Sequence, residues 1–584
     1  MVKVTGGQAV VQALLAHGVD TVFGIPGTHN LEIYRHLAAE GVRHVSTRHE
    51  QGAAYAADGY ARASGRPGVC LVTSGPATLN AAAAIGQAYS DSVPVLLISP
   101  GLPLRHPGRG NGYLHEMKDQ SAAMQAIAGY SLRVTSVAEI PGAVAEAFAY
   151  FRAGRPRPVH LEIPVDVLGE VAEVVIGGPV AVGRVLPESG VLARVVEVLG
   201  AARRPGLLVG GGAKGAAGLV RELAESLGAS VISTANGKGV LAEGHPLSLG
   251  AGVHLPGVAE FVRDCDVLVV LGSELAPSDF WVEPLARPGC LVRVDVDPGQ
   301  LRVNAMPEVE VVGDVGAVLA ELLPRLAGRE RRDDGGGDRL GSGGLAGGGP
   351  GCGAGLGDES SPGAEVSLGI GGSSGGGVSA GDGVLAGGGV ERAAWWRERL
   401  RGQGRAEGAR WLWLLEVLGE ALGDGILGAD SAMACYYGAL TNLPVQRPGG
   451  FLYPTGFGTL GYGLPAAIGA AVACPGVRTA ALLGDGGVMF TVAELATAAQ
   501  LGLALPVLVV DNAGYGEIRA EMVEREDPVH AVDLPSPDFA ALGRALGCHG
   551  VRVADADSLR VELARAFEAD RPTVLHLPEV LERG

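Results

Sequence analysis

Short continuous apolar runs alternate with helical stretches along most of the chain. Between Thr5 and about Val167 this pattern predicts a helix over Gln8–His17, strands over Thr21–Ile25 and His44–Thr47, a helix over Gln51–Ala63, a strand over Val69–Thr73, a helix over Asn80–Ser90 and a strand over Val93–Ser99. Apolar strands spaced by helices belong to a parallel sheet covered on both faces, the α/β doubly wound architecture. Ligands of such sheets sit beyond the carboxyl ends of the strands. Three of these ends carry residues suited to contact: Gly24 to Asn30, Arg48-His49-Glu50, and Ser74 to Asn80. All three are expected to open on one crevice.

A chain of 584 residues is too long for one core. The alternation recurs, so we expect three doubly wound parallel-sheet domains over residues 1–170, 190–327 and 393–584. Between the last two, residues 328–392 are dominated by Gly with Ser, Ala and Asp and show no period. Such a segment buries too little to offset its chain entropy and reads as a disordered linker. The stretch after it, with Trp395, Trp396, Trp411 and Trp413, reads as core.

Composition narrows the function classes. Hydrophobic residues make up 47% and charged residues 18%, the balance of a core-rich enzyme. A formal net charge of -18 leaves no basic stripe to displace counterions, which argues against a nucleic-acid partner. The cysteines, Cys70, Cys265, Cys290, Cys352, Cys435, Cys474 and Cys548, show no metal-ligand or disulfide-framework spacing, and a reducing cytoplasm fits them. No apolar run is long enough to span a bilayer, so no membrane partner is expected.

Candidate chemistry concentrates between Ala481 and Arg519. An apolar strand there breaks at Gly484-Asp485-Gly486-Gly487, a helical stretch runs from Thr491 to Leu501, and a second apolar strand ends at Asp511-Asn512. Gly-Asp-Gly alone reads as a turn. Followed by Asn512 one helix and one strand later, it places two oxygen donors at the ends of adjacent parallel strands. With the Gly514 carbonyl they can converge on one small hard cation. Gly486 and Gly487 let backbone N–H groups approach an anion closely. A diphosphate bridged by Mg2+ fits the pattern.

This pattern resembles the fingerprint of the thiamine-diphosphate enzymes, GDG followed by a paired Asn, and the resemblance covers nearly the whole chain except the Gly-rich insertion. It implies Mg2+ on Asp485, Asn512 and the Gly514 carbonyl, diphosphate on Gly486 and Gly487, and further cofactor contacts at Pro26, Asn80, Ser431 and Tyr515. Glu50, in RHEQGAAYAADGYAR, alone reads as a partner for a helix dipole. The resemblance makes it the carboxylate that shares a proton with N1′ of the aminopyrimidine, so that the 4′-nitrogen can remove the thiazolium C2 proton and give an ylid. In TGFGTLGYGLPAAIG it assigns Leu460 as the wedge that bends the cofactor and the Gly458 carbonyl as acceptor for the 4′-amino group. It also implies sites shared between the subunits of a homodimer or homotetramer.

The run Gly210–Gly215 satisfies G-x-G-x-x-G, but the next strand ends in Ala235-Asn236 rather than the acid a ribose needs, and the run is read as a structural turn. Acetolactate synthases, members of the family that keep FAD here, carry an Arg-containing stretch where this chain has Glu274, which makes FAD doubtful. The implied reaction is non-oxidative decarboxylation of a 2-oxo acid, with Thr28, His29, His115, Glu116, Glu274 and Ile518 as candidate substrate residues. GIPGTHNLEIYRHL, LHEMKDQ and NAGYGEIR are similar to 5-guanidino-2-oxopentanoate decarboxylases. For a guanidino substrate Glu116 or Glu274 offers a charge-assisted partner, and either one alone also reads as a solvated surface carboxylate. His29 and His115 either relay protons or orient substrate. Ile518 places no carboxylate where pyruvate decarboxylases have one. The alternatives are an acetolactate-synthase-like carboligase and a cofactor-binding partner without turnover.

Overall fold

The computed structural model describes residues 1–108, 110–281, 284–333 and 388–579, the side chains of 328–333 excepted. The linker expectation for 334–387 lies outside them. Three six-stranded sheets carry the chain, each parallel throughout its pairings. The first runs Arg43–Ser46, Thr21–Gly24, Gly68–Leu71, Val95–Gly101, Val159–Pro164, Tyr130–Arg133 across the sheet. The last runs Phe451–Leu452, Ile426–Ala429, Thr479–Gly484, Pro506–Asp511, Thr573–Pro578, His549–Arg552. Counted along the chain, both have the order 2-1-3-4-6-5. In such an order strands 1 and 3 are neighbours whose connections leave in opposite directions, and the crevice at that switch receives ligands. The central sheet, Ser248–Ala251, Ser230–Ser233, Pro205–Val209, Val267–Leu271, Leu291–Asp295, Val309–Val312, has the order 3-2-1-4-5-6. That is the dinucleotide-fold order.

Six helices matter for the site: α1 (Glu50–Ser64), α2 (Pro76–Ser90), α3 (Gly389–Glu407), α4 (Gly463–Ala473), α5 (Glu494–Gln500) and α6 (Gly516–Glu524). α2 begins earlier than the apolar pattern suggests, because Pro76 is preorganised for a first helical position. Ala and Gly make up more than half of α1 and of α4, and the two helices join the first and last domains in one core with Tyr55, Tyr462 and Leu452. A Cβ on Gly59 would stand 2.2 Å from the Ala466 carbonyl oxygen, and one on Gly469 would stand 1.9 Å from that of Ala56. Glycine at both points lets the two backbones touch.

A buried charge network ties all three domains. Arg62 on α1 donates to Asp58 (2.7 Å), to Asp91 (2.8 Å) and to Asn236 Oδ1 (2.8 Å), while Tyr462 donates to Asp58 (2.6 Å). Asn236, three residues beyond the strand Ser230–Ser233 where a dinucleotide fold would carry an acid, is thus committed to bridging domains. The last domain was expected to begin at Ala393. α3 starts at Gly389 and packs Ala393, Trp396 and Leu400 into the core of the central sheet, with Arg392 paired to Asp264 (2.9 Å). Trp396 and Trp411 are core, whereas Trp395 and Trp413 turn outward. Among the described residues no helix is long and apolar enough to cross a membrane.

Candidate functional site

The strands Thr479–Gly484 and Pro506–Asp511 are adjacent and parallel, so Asp485 and Asn512 emerge side by side. The turn expected at Gly484–Gly487 is wound as a single helical turn, Asp485–Val488, which leaves the N–H groups of Gly486 and Gly487 without intrahelical partners. Asp485 is buried and accepts from the N–H of Gly514 (2.8 Å). Burial and the nearby Asp511 push its carboxyl up. The Asn512 amide stands 2.8 Å from the Gly514 carbonyl oxygen and 3.2 Å from Asp485 Oδ1, and its nitrogen donates to both. One carboxylate, one amide and one carbonyl form the donor set that Mg2+ takes when phosphates complete its shell. The residues present therefore fit a Mg2+-diphosphate. Glycines keep the cradle open, since a Cβ on Gly486 would meet the Tyr515 ring at 2.8 Å and one on Gly487 would meet Asp430 Oδ2 at 2.5 Å.

Asp430 stands at the other side of the switch point. It accepts from the N–H groups of Gly461 (2.9 Å), Tyr462 (3.1 Å) and Ser431 (2.9 Å), and burial pushes its carboxyl up to about 6. It thereby fixes the loop that carries Gly458 and Leu460. Gly458 has φ 63°, a left-handed conformation that glycine adopts without strain. Thr459 ties the same loop to α2 through Gln87 (3.1 Å).

In the first domain Glu50 opens α1 and accepts from Asn80 Nδ2 on α2 (2.9 Å). His29 Nδ1 lies 2.6 Å from Ser74 Oγ, which lies 3.3 Å from His115 Nδ1. Burial and His115 hold the His29 imidazole below its usual value. The three strand ends thus meet as expected. Asn30, fully buried, staples the turn bearing Pro26 and Thr28 by accepting from Gly27 N (2.7 Å) and donating to the Ile25 carbonyl (3.1 Å). A residue the pattern reading missed is Glu494 on α5, fully buried, whose carboxylate accepts from the N–H groups of Arg48 (3.0 Å) and His49 (3.0 Å), the two residues before Glu50.

Two substrate candidates are differently engaged. Glu116 accepts from the N–H of Gly112 (2.8 Å) and pairs with His106 (3.2 Å), so it folds its own loop. Glu274 sits at the junction with the first domain, paired to Arg155. Ile518 lies exposed on the first turn of α6. In the central domain the glycine run serves a close crossing of loops, for a Cβ on Gly210 would stand 2.3 Å from the Gly272 carbonyl oxygen.

Three family profiles match: the N-terminal TPP binding domain of thiamine pyrophosphate enzymes over residues 4–123, their central domain over 192–322 and their C-terminal TPP binding domain over 432–577. A Pseudomonas aeruginosa protein named as a probable 2-ketoarginine decarboxylase, AruI, is 38% identical over 99% of this chain and 95% of its own length. The acetolactate synthase large subunit of Parasynechococcus marenigrum is 32% identical over 98% of this chain and 87% of its own. The acetolactate synthase isozyme 2 large subunit of Escherichia coli is 30% identical over 98% and 95%.

Proposed function

The chain belongs to the thiamine pyrophosphate enzymes, and from that premise we propose that it decarboxylates 5-guanidino-2-oxopentanoate without oxidation, using thiamine diphosphate and Mg2+. The cofactor, when bound, supplies a C2 nucleophile and a ring that accepts the electrons left by CO2. The observation that carries the reading is that Asp485, Asn512 and the Gly514 loop meet beyond the ends of adjacent parallel strands, beside a glycine turn. Asp485, Asn512 and the Gly514 carbonyl would hold Mg2+, and the N–H groups of Gly486 and Gly487 would meet the diphosphate. Leu460 would stand beneath the cofactor rings, the Gly458 carbonyl would be the acceptor for its amino group, and Pro26, Ser431 and Tyr515 would line the cleft. Glu50, held by Asn80, keeps a proton at N1′. The His29–Ser74–His115 string can carry a proton toward substrate.

The partners of Glu50 and those of Asp485 lie in different domains, and Phe457, Met489, Phe490, Leu79 and Ile518 are exposed around the two crevices. A complete site then takes Glu50 from one chain and Asp485 from a second, in a homodimer or a dimer of dimers. AruI favours the guanidino acid, since 2-ketoarginine is that compound. The test is CO2 release with thiamine diphosphate and Mg2+, comparing the guanidino acid, pyruvate and benzoylformate with analysis of products. Preference for the guanidino acid with an aldehyde product is expected. Acetolactate from pyruvate would replace the reading with carboligation, and turnover of none of them would replace it with a non-catalytic partner.

A further inference from the structure

A guanidinium carried into a partly dry pocket needs a carboxylate not already neutralised by a cation of the chain. Glu274 fails this condition because it is paired with Arg155, and the Glu116 oxygens are taken up by the N–H groups of Asn111, Gly112 and Tyr113 in its own loop. Glu517 meets it. Its two oxygens accept from the phenols of Tyr436 (3.0 Å) and Tyr437 (2.7 Å), and among the described residues no Lys, Arg or His is paired with it. We infer that Glu517, framed by Tyr436, Tyr437 and Trp281, receives the cationic end of the substrate, an assignment that rests on the decarboxylase reading above.

Position and surroundings both support it. Glu517 lies on the first turn of α6, directly after the loop that carries Asn512 and Gly514. The neighbouring Gly516 packs so tightly that a Cβ there would stand 2.6 Å from Asn512 Nδ2 and 3.1 Å from Met433 Sδ, which puts the Met433–Tyr437 segment against the proposed metal loop. Tyr436 and Tyr437 sit with ring centroids 4.6 Å apart, and Trp281 of the central domain meets Tyr437 edge-on at 5.2 Å. The Trp281 ring is itself backed by His254 stacked at 3.8 Å, whose Nε2 pairs with Glu407 (3.1 Å). Each carboxylate oxygen has a second acceptor site beyond the phenol it binds, so the phenols orient the group without using it up. A planar fork of N–H donors matches the remaining acceptors, and aromatic walls favour a flat cation over a compact one.

The test compares 5-guanidino-2-oxopentanoate with the uncharged 2-oxohexanoate in wild type, Glu517→Gln and Glu517→Asp, all loaded with thiamine diphosphate and Mg2+. In Glu517→Gln, kcat/KM for the guanidino acid should fall about 10- to 100-fold, mostly through KM, with 2-oxohexanoate changed less than about threefold. Glu517→Asp should keep part of the preference. If wild type prefers the guanidino acid and Glu517→Gln keeps that preference, this assignment alone is overturned. If both variants lose both substrates equally, Glu517 is a structural residue and the assignment is overturned again. A wild type indifferent to the guanidino acid overturns the substrate reading and the assignment with it.

Discussion

Replacing Glu494 by Gln tests how the first domain's carboxylate is held in place. Glu494 is fully buried, and its oxygens accept from Arg48 N (3.0 and 3.2 Å), His49 N (3.0 Å) and Thr497 Oγ1 (2.6 Å). Burial raises its carboxyl. In the amide one oxygen becomes an NH2 that faces N–H donors, so one buried donor loses its acceptor at about 1–3 kcal/mol. Relief of a desolvated carboxylate offsets part of that, and we expect a net loss of roughly 1–2 kcal/mol of stability. The functional effect should exceed the structural one, because the loosened turn carries Glu50, and a displacement of about 1 Å at a reacting group can cost on the order of 100-fold. Expected is a fall in kcat of about 10- to 100-fold with Mg2+-dependent cofactor affinity within about threefold of wild type, since Asp485, Asn512 and Gly514 are untouched. Steady-state CO2 release and fluorescence titration of the cofactor measure the two. Gly52→Ala is an independent probe: its Cβ would stand 2.3 Å from Glu494 Oε1 and push the carboxylate away. Wild-type kcat in both variants, or parallel loss of cofactor affinity, would refute the role.

Three further outcomes are expected. Asp485→Ala removes the carboxylate from the metal donors and should abolish Mg2+-dependent cofactor binding in a titration while the fold melts within a few degrees of wild type. Glu50→Gln should retain cofactor yet lose C2 proton exchange of the bound cofactor, followed by NMR in deuterated water. His160, buried between Ser99 (2.8 Å) and Ser131 (2.7 Å), is held down at about 3 by burial, against 6.5 in the unfolded chain. The folded ring stays neutral while the unfolded ring takes a proton, so this site's contribution is whole above pH 6.5 and is lost as pH falls from there toward 3. Near pH 4.5 the loss is ~3 kcal/mol, and His160→Gln should flatten the decline of melting temperature over that interval.

What could be read from the chain alone follows from how local its causes are. Asp485 and Asn512 are 27 residues apart and stand just beyond the ends of neighbouring strands, so strand periodicity and glycine placement were enough to bring them together. The order 2-1-3-4-6-5 of the flanking sheets needed the pairings, yet the strand ends it joins were visible as breaks in apolar runs. Glu494 was not visible in this role, because the N–H groups it accepts from stand 446 and 445 residues away and a helix gives no sign of what its buried face will meet. Tyr436, Tyr437 and Glu517 were hidden for the same reason, 81 and 80 residues apart on segments that share no period. Glu274 looked like a free carboxylate because its partner Arg155 lies in another domain. The packing of α3 against the central core was not legible because its polar composition masks an apolar stripe, Ala393, Trp396 and Leu400.

The central claim is that one cofactor is clasped between Glu50 of one chain and Asp485 of another. Co-expression of a Glu50→Gln chain and an Asp485→Ala chain under different affinity tags, with isolation of the mixed dimer, tests it directly. Sites shared across chains give one site with both lesions and one with neither, so the mixed dimer should recover about half the wild-type rate of CO2 release while each pure variant stays inactive. Sites contained within single chains would each carry one lesion, and a mixed dimer as inactive as its parents would contradict the account.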